Sequence, residues 1–104
     1  MTGTLTITNY PFRDRWNDCQ VRRARYAGPS SYVTGGDTIS NVVDFGWGET
    51  HTLLGTITDG TTLYVLHLDY ANQRILVFVA STGIEVANGV DLSTFNGQIV
   101  ATGK

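Results

Sequence analysis

Cysteine occurs once in the 104 residues, at Cys19. A lone cysteine cannot close an intrachain disulfide, which excludes a small secreted scaffold stapled by disulfides and points to folding in a reducing cytoplasm. Lysine (Lys104) and methionine also occur once and glutamate twice, so strong helix formers are scarce. No apolar run approaches the roughly 20 residues that span a bilayer, so no transmembrane helix is expected. The first residues carry no basic n-region and no long apolar stretch, the two parts a Sec signal needs. C-x-x-C, H-E-x-x-H, Walker and G-x-S-x-G motifs are all missing. An enzyme is therefore the least supported class, with no catalytic residue, metal or cofactor expected.

What is present is β-forming. The length fits one domain, and a 41 % hydrophobic content is that of a folded chain. Thr, Val and Ile supply 31 residues and aromatics another 11, the types that suit a pleated, half-buried surface. Gly and Asn punctuate the chain at short intervals, as turns between short strands do. The expected fold is all-β: a single antiparallel β-sandwich or small β-barrel with an extended N-terminal segment. Residues 1–27 form that arm and the first strands, and residues 28–104 the β-domain. Strands are expected at 4–8, 20–27, 51–58, 61–69, 74–80, 84–87 and 98–102. One helical turn is expected at 41–45, capped by Ser40 or Asn41.

The central meander is legible in more detail. Asp59-Gly60 has the composition of a two-residue type I′ turn, where both positions need φ > 0. That turn would set Thr58 opposite Thr61 and Leu53 opposite Leu66. A second turn around Ala71-Asn72 would set Asp69 opposite Arg74, Leu66 opposite Val77 and Val65 opposite Phe78. The period of 2 then assigns Leu53, Tyr64, Leu66, Leu68, Ile75, Val77 and Val79 to a core face. Leu54, Leu63, Val65, Leu76 and Phe78 fall on the other face, diluted by Thr52, Thr56 and His67. That second face is too apolar to stay bare. The remaining strands or a neighbouring subunit should cover it, which gives a physical reason to expect an assembly.

Charge is unevenly spread. The net charge is −2. Arg13, Arg15, Arg22, Arg23 and Arg25 fall within residues 12–26, which carry a net +3 against −5 for the rest. Interleaved with Phe12, Trp16 and Tyr26, these arginines have the make-up of a nucleic-acid surface. Five arginines among acids, in an anionic chain, give too weak a field for a dedicated DNA binder. An acidic partner protein fits better, with Arg13, Arg15, Trp16, Arg22 and Arg25 as anchors and Pro11 keeping part of the segment out of any central strand. His51 and His67 point to opposite faces in the expected register, so with Asp69 they make no metal site. Cys19 has no histidine in its segment. Gly35-Gly36 and Gly46-Trp47-Gly48 do not lead from a strand into a helix and are turns, not phosphate cradles.

From Tyr26 onward the chain resembles a family of small tailed-phage virion proteins. The resemblance is carried by the YVTGGD run at 32–37 and by the segment from Ile39 to Asp44-Phe45-Gly46. It continues through Tyr64, the LDYANQRI hairpin at 68–75 and the EVANGVDLS run at 85–93 before a closing strand. The order and spacing of these elements match over roughly three-quarters of the chain. The chain departs from the pattern at Gly46-Trp47-Gly48 and in residues 12–26. The resemblance implies a capsid decoration (cement) protein on the exterior of the virion, made in the bacterial cytoplasm. Its partner would be the major capsid protein, with neither nucleic acid nor membrane involved, and a homotrimer is the natural arrangement. Leu54, Val65 and Phe78 of the apolar second face join the arginines and Trp16 as partner-binding candidates. The alternatives are a tail or neck component of the virion, and a carbohydrate-binding β-module that stacks sugars on Trp16 or Trp47.

Overall fold

The computed structural model describes residues 2–7, 14–16 and 19–104. Its strands are β1 (Thr4–Ile7), β2 (Asp14–Trp16), β3 (Cys19–Ala27), β4 (Asp37–Thr38), β5 (Thr50–Thr58), β6 (Leu63–Asp69), β7 (Arg74–Val79) and β8 (Asn96–Gly103), with one helical turn, α1 (Asn41–Asp44). The fold is all-β, as expected. All strands join a single antiparallel sheet in the order β1-β3-β8-β5-β6-β7-β4, with β2 also paired to β3. The sheet curls into a half-barrel.

The curl follows from small residues at the centre. Gly55 of β5 and Gly97 of β8 face the concave side, in the same alternation as Leu53, Ile57 and Ile99. A Cβ on Gly97 would run into the Thr56 carbonyl oxygen, and one on Gly55 would sit 2.5 Å from the Gln98 carbonyl oxygen. Without side chains there, the two backbones close up on the inside and the sheet bends around them. Tyr26, Leu53, Ile57, Leu66, Ile75, Val77 and Ile99 fill the concave face. Tyr32, Ile39, Phe45, Trp47, Val86, Leu92 and Phe95, from the long connections, cover it.

Asp37 closes the ring. It is buried, and its Oδ1 accepts the Thr2 N–H (2.8 Å) and the Thr2 hydroxyl (3.1 Å). Its Oδ2 accepts the Gly3 N–H (2.9 Å) and the Tyr26 hydroxyl (2.6 Å). A side chain of β4 thereby ties down the residues entering β1, at the opposite end of the strand order. A second tyrosine–carboxylate pair lies nearby. Tyr32 donates to Glu85 Oε2 (2.6 Å) and accepts the Val77 N–H (3.2 Å), while Gly35 N–H donates to the same Glu85 oxygen (2.9 Å). The turn before β4 needs glycine at Gly36, where φ is +108° and a Cβ would lie 2.8 Å from the Ile75 carbonyl oxygen.

Several expectations are corrected. The β5–β6 pairing sets Thr58 opposite Leu63, and hence Gly55 opposite Leu66, two residues away from the expected register. The loop has four residues because the Asp59 carboxylate accepts the N–H groups of both Thr61 and Thr62 (2.9 Å each). A slip of two keeps every side chain on its expected face. The β6–β7 register is as expected, with Asp69 opposite Arg74, Val65 opposite Phe78 and Leu66 opposite Val77. The segment 84–87 contributes one bridge, Glu85 to Phe78, instead of a strand. Strands β1 and β2 both pair with β3, so residues 4–7 and 14–16 of the N-terminal segment belong to the sheet, the first of them where a strand is expected. Pro11 and Arg13 lie outside the described residues. The α1 turn is where expected, but the Ser40 side chain makes no cap; instead Asp44 Oδ2 accepts the Ser40 N–H (2.8 Å).

Two measurements check this architecture. In urea unfolding, Leu66→Ala should cost about 2–5 kcal/mol, as truncations at fully buried leucines do, and Gly97→Ala about 1–3 kcal/mol through overpacking. The second is alkaline stability. Burial, then the adjacent Asp37 carboxylate, hold the Tyr26 phenol well above its ordinary pKa. Burial, then the hydrogen bond to Glu85, raise that of Tyr32. Both stay protonated in the folded protein while the unfolded chain ionises them near pH 10, so their contribution is intact below that pH and lost above it. The slope for a residue that ionises only when unfolded is about 1.4 kcal/mol per pH unit. Tyr26→Phe should flatten the decline above pH 10; an unchanged decline would contradict the neutral buried phenol.

Candidate functional site

The convex side of the sheet is the candidate site, because its composition departs from that of an ordinary solvated face. Outward positions alternate with the core positions along each strand. They present Arg23 and Arg25 on β3, Val100 on β8, Leu54 on β5, Leu63, Val65 and His67 on β6, and Leu76 and Phe78 on β7. Leu54 is 60 % exposed, Val100 46 %, Leu63 46 % and Val65 37 %. The registers make them neighbours: Val100 is opposite Leu54, Leu54 opposite His67, and Val65 lies between Thr56 and Phe78. Among the described residues no second layer covers them. At the β6–β7 side, Val65, His67, Phe78, Val79, Ala80 and Gly83 line a shallow groove of about 430 Å³. A contiguous apolar patch of this kind marks an interaction surface.

The expected site residues divide. Leu54, Val65 and Phe78 share the convex face, and Arg25 flanks it. Arg15 and Trp16 lie in β2, opposite Gln20 and Cys19. Arg22 is a correction: it is buried, pointing to the concave side with Ala24 and Tyr26. Its guanidinium lies 5.4 Å from the centre of the Trp47 ring and donates to the Gln20 side chain and to the Val21 carbonyl (3.3 Å). A cation held on an aromatic face and two carbonyl-type oxygens is a structural charge, out of a partner's reach. The missed residue is Arg23. The alternation Arg22-Arg23-Ala24-Arg25-Tyr26 already held the signal, since small and aromatic residues at 24 and 26 put 22 inside and 23 and 25 outside.

Trp47 is also buried, so it is no sugar-stacking platform. It stacks on Phe45 (ring centres 4.9 Å apart), and its Nε1 donates to Thr50 Oγ1 (3.0 Å). Thr50 in turn donates to Asn41 Oδ1 (2.6 Å), and Gln73, at φ +53°, accepts the Thr50 N–H and an Asn41 Nδ2 hydrogen (2.9 Å each). This polar floor fixes Trp47, at the middle of the departure Gly46-Trp47-Gly48, as core structure, while the two glycines are exposed.

The expected divergence of His51 and His67 is corrected as well. A bulge between Thr50 and Thr52 interrupts the alternation, and both histidines line one groove of about 320 Å³ with Leu54 and Tyr70. His51 Nε2 lies 3.2 Å from Glu49 Oε1, which also accepts the Tyr70 hydroxyl (2.8 Å). Among the described residues no group of three His, Cys, Asp or Glu is placed to hold a metal ion. No helix there is long and apolar enough to cross a membrane. No protein-family model, curated protein or solved structure matches the chain.

Face assignment has a direct test in stability. Leu54→Ser should shift the unfolding free energy by no more than about 0.5 kcal/mol, as exposed positions do. Trp47→Ala should cost about 3–5 kcal/mol. A large loss from Leu54→Ser in the isolated protein would place that side chain in the core.

Proposed function

We propose that this protein is a bacteriophage capsid decoration (cement) protein that binds the outer surface of the expanded head shell. There it bridges neighbouring capsomers and stabilises the virion, as a homotrimer. The observation that carries the reading is the convex face: Leu54, Leu63, Val65 and Val100 stand exposed side by side on a sheet whose other face is filled by its own core. A domain that leaves so much apolar surface uncovered is suited to a partner met after folding. We take the major capsid protein as that partner because the ordered motifs at 32–37, 68–75 and 85–93 resemble those of small phage virion proteins. Within those motifs Asp37 ties β4 to the residues entering β1, and Tyr32 bonds Glu85, so the motifs serve the framework.

The mechanism is binding linkage. A protein that binds only the expanded shell stabilises it by about 2.7 kcal/mol per site at a hundredfold excess over Kd. Each contact would bury on the order of 1,000–2,000 Å², and a trimer engages several at once. The burial of Trp47 favours this reading over a carbohydrate module.

Particles made without the protein should therefore assemble, yet rupture at lower temperature or after milder osmotic shock. Adding the purified protein back should restore them. Bare particles as robust as decorated ones would reject the cementing role, and a few copies per particle instead of hundreds would place the protein in the tail or neck.

A further inference from the structure

We infer that Asn88 is a site of spontaneous deamidation in the folded protein, and that the fold protects the second asparagine of the same sequence type, Asn96. The inference is independent of the decoration reading, and its test needs no shell. Asn88-Gly89 and Asn96-Gly97 are the two Asn-Gly pairs in the chain. In such a pair the backbone nitrogen of the glycine can attack the side-chain amide carbon of the asparagine, because no Cβ screens the approach. The new N–C bond closes a succinimide ring, and ammonia leaves. Water then adds to one of the two ring carbonyls and opens the ring. The product is aspartate, or isoaspartate with a backbone one methylene longer. The balance is amide plus water to acid plus ammonia, with no oxidation or reduction, and the net charge goes from −2 to −3.

Sequence and exposure do not separate the two sites. Both are followed by glycine, and both side chains are exposed. The backbone separates them. Asn96 opens β8, the strand between β3 and β5, and is opposite Ala27 on one side and Thr58 on the other. Gly97 is held so closely that a Cβ would lie 2.0 Å from the Thr56 carbonyl oxygen. Bringing its nitrogen onto the Asn96 side chain would pull β8 away from both neighbours, an opening close to global unfolding.

Asn88 and Gly89 instead occupy a turn outside the strands, closed by Val90 N–H to the Ala87 carbonyl (3.3 Å). Gly89 has φ +88° and nothing within 4 Å of where a Cβ would stand. The attacking nitrogen is held by the hydrogen bond from Gly89 N–H to the Tyr32 carbonyl (2.6 Å). Releasing it opens an exposed turn, which costs far less than opening a central strand. A second contact favours the reaction. The Thr34 N–H donates to Asn88 Oδ1 (3.1 Å), the oxygen on which negative charge gathers as the nitrogen adds. The change also reaches the core. Tyr32 N–H donates to the Val90 carbonyl (2.9 Å), so the residues that isoaspartate displaces are those that hold the buried Tyr32.

The experiment ages the full chain in mildly alkaline buffer, folded and in parallel in concentrated guanidinium chloride, with peptide mass analysis at intervals. In the folded chain Asn88 should lose its amide at least about tenfold faster than Asn96, and in denaturant the two rates should converge to within about threefold. Asn88→Gln should remove most of the acidic species that the folded chain accumulates on anion exchange, and Asn96→Gln should leave them. The isoaspartate fraction should melt below wild type, and Asn88→Asp, with its backbone length unchanged, close to it. An Asn88 amide that survives in the folded chain would overturn the inference. So would Asn96 reacting as fast as Asn88 there, or acidic species that persist in Asn88→Gln. An isoaspartate fraction as stable as Asn88→Asp would overturn the link to Tyr32.

Discussion

A strand path that ends in a two-residue strand needs more than a ladder to tie its last strand to its first, and here the Asp37 carboxylate supplies the tie. Its four donors come from Thr2, Gly3 and Tyr26, so one side chain of β4 holds the entrance to β1 and the inward face of β3 together. The arrangement works because it is buried and complete. A buried carboxylate with all its acceptor positions engaged is tolerable where a half-satisfied one would be costly. Among the described residues no buried side-chain polar atom lacks a partner. Asp37 in turn depends on Gly36, whose φ of +108° turns the chain into β4, and on Gly3, where a Cβ would strike Tyr26 and Asp37 together.

Closing the ring by a side chain has a price in symmetry. The concave face gains a sealed core of aliphatic and aromatic groups under the long connections. Among the described residues nothing lies over the convex face, and several of its leucines and valines stand exposed. The same β-branched and aliphatic residues that favour the strands thus pack inside and stand exposed outside, distinguished only by the parity of their position.

Much of this was readable from residues alone where the physics is local. The β6–β7 hairpin follows from Asp69 and Arg74 on either side of a four-residue turn, and both faces of the meander follow from alternation. Asp59-Gly60 marked a turn, but its length depended on how many N–H groups the Asp59 carboxylate would collect, which composition does not specify. Arg22 and Trp47 look like surface residues until Arg22 is seen facing inward on β3 with Trp47 folded over it; neither fact is local. The bulge at His51 and the two-residue strand β4 are likewise set by partners far along the chain. The candidate face was legible in Leu54, Val65 and Phe78. Arg22, Arg23 and Arg25 lie close together in sequence, and only the parity of their positions separates the buried Arg22 from the exposed Arg23 and Arg25.

The position of β8 carries a kinetic consequence. Residues 96–103 lie between β3 and β5, so the backbone ladder joins the two halves of the sheet through a strand that follows all the others in sequence. Nearly every pairing that unites β3 with the meander spans seventy or more residues of sequence, a high contact order that slows folding. During synthesis the meander β5–β7 can form on its own, while β3 waits with an unpaired edge until residues 96–103 emerge. The domain should therefore be completed late, with β3 and the meander still unjoined by a ladder on a ribosome-bound chain that stops short of residue 96.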